Sequence, residues 1–360
     1  MQKGHDVYYF LARNKTKCVY DVSGTVINTE IVLNNKNILS LIKSAFIMRK
    51  YKKRYKIDVS ISFMEEFNYI NILSKQRDLV ITRICTILSQ RKDLQQSFLY
   101  KADLVRFMYN RADKVVVMTD YAKQEMSHTY GIDKRCLVKI PNPITTLQYP
   151  SNDLKWIYGD EAIVCVGRLE NVKQHNIAIR AFASIAEKIP TAKLLILGIG
   201  PTEGKLKSLV KKLNLEDRVF FLGFRKDIGY YLHRSRVFLM TSKTEGFPNS
   251  MLEAMSMGLP VVSIQSPGAP IEILKAEQNN KSVSYGKYGI MTPYINHDFL
   301  SQKPIMKEEV LIGDALTVLL QDRELWKKYS NASYSRAKMY DTEKVMSRWN
   351  RLICGEKRRK

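Results

Sequence analysis

Short apolar runs alternate with amphipathic stretches along nearly the whole chain. In the second half, Ala162–Val166, Leu194–Leu197, Val219–Leu222, Val237–Met240 and Val261–Ile264 are rich in Val, Ile and Leu, and each predicts a strand. Between the first of them, Asn176–Lys188 and Glu203–Leu213 carry apolar residues at helical spacing. Strands apolar on both faces and separated by helices describe a parallel sheet covered on both sides. The first half repeats the rhythm less cleanly, with strands expected at Val7–Leu11, Val59–Phe63, Leu79–Thr82 and Val115–Met118. Pro141, Pro143 and Pro150 mark a linker, and beyond Lys307 the pattern is helical to the end. The reading is an α/β chain of two doubly wound domains: residues 1–145, a linker at 146–160, residues 161–340, and a closing segment at 341–360. In that segment a helix near Thr342–Cys354 packs back on the first domain. Ligands of such sheets bind beyond the carboxyl ends of the strands, so with two domains the expected site is the cleft between them.

Composition narrows the class. The chain has 360 residues with 58 basic and 35 acidic side chains, a net charge of +23. Its longest uncharged stretch, Ala254–Ile271, is broken by Gly258, Pro260, Pro267, Gly268 and Pro270 and cannot cross a membrane as a helix. The first residues lack a secretory pattern, and the five cysteines are scattered, so a cytoplasmic protein without a disulfide framework or zinc ribbon is expected. Residues 1–150 hold 25 basic and 13 acidic residues, so the excess is spread over both halves and not confined to a tail. Such charge attracts polyanions, whether nucleic acid, anionic lipid or phosphorylated substrate.

Three expected strand ends carry chemistry. At Val166-Gly167-Arg168-Leu169, Gly167 lets a ligand approach the backbone while Arg168 and Lys173 set two cations near a helix start. A diphosphate suits that arrangement, and two solvated surface cations are the bland alternative. Leu197-Gly198-Ile199-Gly200-Pro201 suggests a tight turn, but the next glycine, Gly204, comes one residue too late for a dinucleotide fingerprint. A nicotinamide cofactor is therefore unsupported. The third segment runs from Thr244 to Ala254. Pro248 and Asn249 open a helix there, with Glu245 in the turn before it and Glu253 about one turn inside. Two carboxylates flanking a helix N-terminus suit the hydroxyls of a sugar and a ribose. Taken alone they are equally an exposed turn residue and a helix-surface glutamate.

These residues carry a resemblance. The E-x7-E spacing of Glu245 and Glu253, Val166–Leu169 with Lys173, Leu222-Gly223-Phe224 with Asp227, and Gly258-Leu259-Pro260-Val261-Val262 resemble the retaining glycosyltransferases of family 4, which have the GT-B fold of two Rossmann-like domains. Ala112–Thr119 and Ile140-Pro141-Asn142-Pro143 are similar to the end of that family's first domain. The resemblance implies a nucleoside-diphosphate sugar donor, UDP-linked, held by the second domain. Arg168 and Lys173 would neutralise the diphosphate in place of a metal, with no cofactor. Glu253 would take the ribose and Glu245 the donor sugar. Gly246, Phe247, Pro248 and Asn249 would line the sugar, and Gly167, Gly223 and Phe224 would complete the donor pocket. The acceptor would be a lipid-linked saccharide of cell-surface polysaccharide assembly, with Arg83 as a candidate for its phosphate. Relatives open with a strand, a glycine-rich turn and a helix before a segment resembling Lys3–Val7, so the first strand is expected to be missing. A truncated donor-binding homologue without turnover is the alternative this raises.

A further helix is expected at Asn37–Lys56, with Arg49, Lys50, Lys52, Lys53, Arg54 and Lys56 crowding its C-terminal end. Contact with an anionic membrane surface is the functional expectation, and a well-solvated helix end is the plain one. A nucleic-acid-binding protein would predict an aromatic and basic stacking surface or a known motif; neither is found, and no nucleic-acid partner is expected.

Overall fold

The computed structural model describes residues 4–12, 22–31, 38–90, 97–145, 147, 156–279, 281–295 and 304–357. The chain divides into two compact units, residues 1–140 with 349–360, and residues 141–348. The closing helix, Thr342–Lys357, thus begins in the second unit, and its turns from Trp349 onward count with the first. Most of the expected linker, residues 146 and 148–155, lies outside the described residues, as do Asn37, His297, Cys18 and the last three basic residues.

The second unit is built on one seven-stranded sheet. Its strands are β7 (Ala162–Val166), β8 (Lys193–Leu197), β9 (Val219–Gly223), β10 (Val237–Met240), β11 (Val261–Ile264), β12 (Ser284–Tyr285) and β13 (Ile290–Thr292), in the order β12-β13-β11-β10-β7-β8-β9. Every pairing is parallel except β12 with β13. The five apolar runs of the sequence all form strands; the sheet buries both faces of β7, β8, β10 and β11, while β9 at its edge is only partly buried. Helices His175–Ala186 and Lys307–Gln321 cover one face. Gly313 lets them meet closely, since a Cβ there would stand 2.2 Å from Ser184 Oγ. The fully buried Arg180 joins them by donating to both carboxylate oxygens of Glu309, at 2.6 and 2.9 Å. Such a pair offsets its own desolvation only when both ions are satisfied. Arg180 also donates to the Pro304 carbonyl, and Glu309 accepts the Met306 N–H.

β7 is the point where the order reverses. From it the chain runs outward through β8 and β9, then returns to pair β10 against the other edge of β7. The crevice of a doubly wound sheet opens at such a reversal, so the segments after β7 and β10 are where a ligand is expected.

The first unit holds two separate parallel sheets. One is β1 (Tyr8–Leu11) with β2 (Thr25–Asn28); the other is β3 (Val59–Phe63), β4 (Leu79–Arg83), β5 (Lys114–Val117) and β6 (Leu137–Lys139), in chain order. β2 and β6 were not legible as strands, being short and, in β2, polar at both ends. The core lies around Val80, Val115, Val117, Tyr109 and Leu99. Helix Ile38–Arg54 packs Met48 with Ile31 and Ile70 in a smaller cluster.

Candidate functional site

The segment leaving β7 is fixed by its neighbour. Gly167 N–H donates to Leu197 O at 3.0 Å and Leu169 N–H to Ile199 O at 3.0 Å, so the β7 and β8 exits continue side by side. That closeness accounts for the second glycine motif. A Cβ on Gly198 would lie 1.9 Å from Gly167 O, and one on Gly200 would lie 2.4 Å from Leu169 O. These glycines shape the turn that carries Arg168. The chain then makes a 3-10 turn at Asn171–Lys173 and enters helix His175–Ala186 through Gln174 at φ 47°.

The β10 exit is tied to this turn. Thr241 Oγ1 donates to the carbonyls of Lys173 and Gln174, and the Lys243 N–H donates to Val172 O at 2.8 Å. As a result Lys173 Nζ donates to Glu245 Oε1 at 2.6 Å, joining residues 72 apart in sequence. Glu245 is 9% exposed, not the exposed turn residue that its sequence position allowed. Its backbone is held on the other side by the segment after β11, with Glu245 N–H donating to Pro267 O and Ala269 N–H to Glu245 O. Gly268 makes that turn at φ 108°. Arg168 keeps a carboxylate of its own, Glu170, at 2.6 Å, with its side chain 72% exposed. The two cations are thus not an open pair: one is partly buried against Glu245, and the other reaches into solvent.

Pro248 precedes helix Asn249–Ser256, and no side chain caps it. Glu253, one turn in, is half-buried, and its carboxylate has no partner among the described residues. Burial pushes its pKa above the ordinary glutamate range. Asn249 Oδ1 accepts from Asn142 Nδ2 at 2.7 Å. The Phe247 ring is turned away from solvent and packs edge-on against Tyr340, centroids 5.6 Å apart. At the end of β9, Gly223 turns at φ 68° with open space beside its Cα, and Phe224 is 68% exposed.

The model of group 1 glycosyl transferases matches residues 151–284, and that of glycosyltransferase family 4 matches residues 1–147. An uncharacterized glycosyltransferase of Methanocaldococcus jannaschii is 31% identical over 368 residues, 93% of this chain and 90% of that protein. The chain belongs to the family-4 glycosyltransferases. A Campylobacter jejuni N-acetylgalactosamine-N,N'-diacetylbacillosaminyl-diphospho-undecaprenol 4-alpha-N-acetylgalactosaminyltransferase is 27% identical, over 86% of this chain and 80% of that protein. Among solved structures, Anabaena HepE in complex with UDP and glucose superposes with a TM-score of 0.69 at 18% identity, covering 92% of this chain and 86% of that one. The fold of this glycosyltransferase is GT-B, with two Rossmann-like units.

Several positions in the glycosyltransferase escaped the sequence reading. Thr241, a polar residue at the end of an apolar strand, was the available signal for the clamp on Lys173. His175 gave none. It is buried beside the site, facing the carbonyls of Gly167 and Arg168, and burial together with the Lys173 charge pulls its pKa down to about 4. It stands neutral at physiological pH, a packed histidine as its isolation from the other histidines suggested. Arg83 belongs to the first unit. It is 9% exposed at the end of β4, its guanidinium 5.7 Å from the Phe63 ring centre and 5.8 Å from that of Trp349. Among the described residues no helix is long and apolar enough to cross a membrane, and no cluster of His, Cys, Asp and Glu is arranged to hold a metal.

Proposed function

We propose that this glycosyltransferase moves a hexose or N-acetylhexosamine from a UDP-sugar to a lipid-linked saccharide, with retention of configuration, in cell-surface polysaccharide assembly at the cytoplasmic face of a membrane. The observation that carries the reading is the Lys173–Glu245 pair at the strand reversal, with the half-buried Glu253 on the helix that follows the β10 exit.

Each group has a use. An incoming diphosphate competes with Glu245 for Lys173 and draws on Arg168 from the solvent side. Glu245, released from the ammonium, accepts hydrogen bonds from donor-sugar hydroxyls. Glu253 accepts from the ribose hydroxyls through charge-assisted hydrogen bonds. The exposed Phe224 and the Gly223 turn flank the base. In the transfer step the acceptor oxygen forms a bond to the anomeric carbon on the face the phosphate leaves. The carbon–oxygen bond to the β-phosphate breaks, and the acceptor proton passes to a departing phosphate oxygen. Charge grows on the diphosphate, and Arg168 and Lys173 stabilise it. A metal ion has no necessary part in these steps, and neither a cofactor nor nucleic acid enters the reading.

A lipid-linked acceptor brings the reaction to a membrane surface, where Arg49, Lys50, Lys53, Arg54 and Lys56 supply attraction for anionic lipid. Lys52 leaves that set. It is 3% exposed, pairs with Asp78 at 2.8 Å and donates to Asn71 O, because its position on the helix faces the core. The relative that acts on a diphospho-undecaprenol saccharide supports this choice of acceptor. The test is release of nucleoside diphosphate across a panel of donors with a short lipid-diphosphate saccharide, with and without chelator, and with the product's anomeric configuration read by NMR. UDP-sugar turnover that survives chelation and gives a retained linkage is expected. UDP binding with no release from any donor overturns the transfer reading.

A further inference from the structure

Arg336, on helix Arg323–Ala337, is buried, and its guanidinium is spent on backbone carbonyls and rings. Nε donates to Ile273 O at 2.9 Å and Nη2 to Glu272 O at 2.8 Å. Both carbonyls belong to the last turn of helix Ala269–Leu274, where a helix leaves its own acceptors unmet. The other two of that turn are taken by backbone N–H groups, Ile271 O by Lys275 and Leu274 O by Tyr288. Two rings meet the same guanidinium, with centres 4.9 Å away for Tyr288 and 5.0 Å for Tyr340. Both sets of contacts lead to Glu245. Helix Ala269–Leu274 begins at the Ala269 N–H that donates to Glu245 O, just after the Pro267 carbonyl that accepts the Glu245 N–H. Tyr340 packs on Phe247, two residues beyond Glu245.

We infer that Arg336 is a positioning residue for donor-sugar recognition. One arm runs through helix Ala269–Leu274 to the Pro267–Ala269 turn, the other through Tyr340 to Phe247, and together they hold the main chain on both sides of Glu245. The inference rests on the donor-sugar role of Glu245 in the proposed function and extends it to a side chain that takes no part in the chemistry. In that function the Glu245 carboxylate leaves Lys173 for sugar hydroxyls, and the two arms keep its backbone in place while the side chain turns. Arginine suits the task where lysine does not. Its planar fork reaches two carbonyls at once and stacks on rings, whereas an ammonium is a single point on a flexible stem. Because Glu245 reads the sugar and not the nucleotide, loosening the arms should slow transfer and leave the grip on UDP intact.

Arg336→Lys and Tyr340→Leu are compared with the parent, as full chains, by three measurements. These are kcat and KM with a UDP-sugar, UDP affinity by calorimetry, and hydrogen exchange at the Glu245 and Ala269 amides. Arg336→Lys should lower kcat about tenfold with UDP affinity unchanged, and the two amides should exchange about fivefold faster. Tyr340→Leu, which leaves both carbonyl contacts in place, should lower kcat about threefold. Arg336→Lys added to Glu245→Gln should lower kcat no further than Glu245→Gln alone, since both act through one carboxylate. Faster exchange with an unchanged kcat makes Arg336 a helix cap and overturns the inference. So does UDP affinity that falls as far as kcat, or full additivity in the double variant. Should Arg336→Lys fail to fold, Tyr340→Leu decides by the same split between kcat and UDP affinity. A parent that binds UDP and transfers from no donor overturns the transfer reading by itself; unchanged exchange at Glu245 and Ala269 in the variants overturns the clamp whether or not transfer is seen.

Discussion

The second unit buries β7, β8, β10 and β11 along nearly their whole length in one continuous sheet, while the first unit leaves Val26, Ile61 and Phe63 exposed on the strands of two separate sheets. Both units alternate strands and helices, and both are parallel. They differ in how many neighbours each strand has. β7 is hydrogen-bonded on both edges and receives the exits of β8 and β10 against its own, and that convergence builds the Lys173–Glu245 site. β3 is paired on one edge alone among the described residues, and its C-terminal end passes into Met64, a non-glycine residue at φ 70° that is half exposed. Fixed placement of the Lys173–Glu245 pair comes from the fully paired sheet. The first unit places its charges instead on a helix surface and in the buried Lys52–Asp78 pair.

The comparison is most open to being broken at the site itself. Replacing Arg168 and Lys173 together by Ala should lower transfer by at least about a thousandfold, because both groups act on the developing diphosphate charge; undiminished release of nucleoside diphosphate would remove the second unit's claim to the chemistry. In the first unit, Lys52→Met strands the buried Asp78 carboxylate, which its lysine holds below the ordinary aspartate pKa. A loss of about 3–5 kcal/mol is expected, read as faster hydrogen exchange in β3 and β4 with the second unit unaffected. Lys53→Met, on the exposed face, should change stability by no more than about 0.5 kcal/mol.

Two pH effects sharpen the contrast within the second unit. His175 has its pKa lowered on folding, so above the unfolded value near 6.5 it is neutral in both states and costs nothing. As pH falls, the unfolded chain takes the proton first, and about 3 kcal/mol is lost in full once pH is below 4. His175→Leu should remove that part of the acid sensitivity in urea unfolding of helix His175–Ala186. The smallest effect belongs to Glu253. Its raised pKa means stability is complete below the ordinary glutamate range and is lost as pH rises through the folded value. Glu253→Gln should therefore raise the melting midpoint at neutral pH by about 2 °C while weakening UDP binding about tenfold by calorimetry. A lowered midpoint with unchanged affinity would refute the ribose role.

Much of this was legible in the chain because a strand buried on both faces must be apolar at consecutive positions. Ala162–Val166, Val237–Met240 and Val261–Ile264 were bounded to the residue on that ground. Glycines and carboxylates at the strand exits then marked where a ligand belongs. β2 and β6 gave weaker patterns, since an edge strand buries only part of its surface and need not be apolar throughout. The order of amino acids marked most of the elements, the candidate residues at the reversal point and the family. Only the folded molecule decided that Lys173 reaches Glu245 while Arg168 does not, that Phe247 serves Tyr340, and that Lys52 turns inward among five neighbours that face water. Those choices depend on which residues lie across a strand pairing or on the buried side of one helix turn. Separation along the chain does not encode that distance, which is set by packing alone.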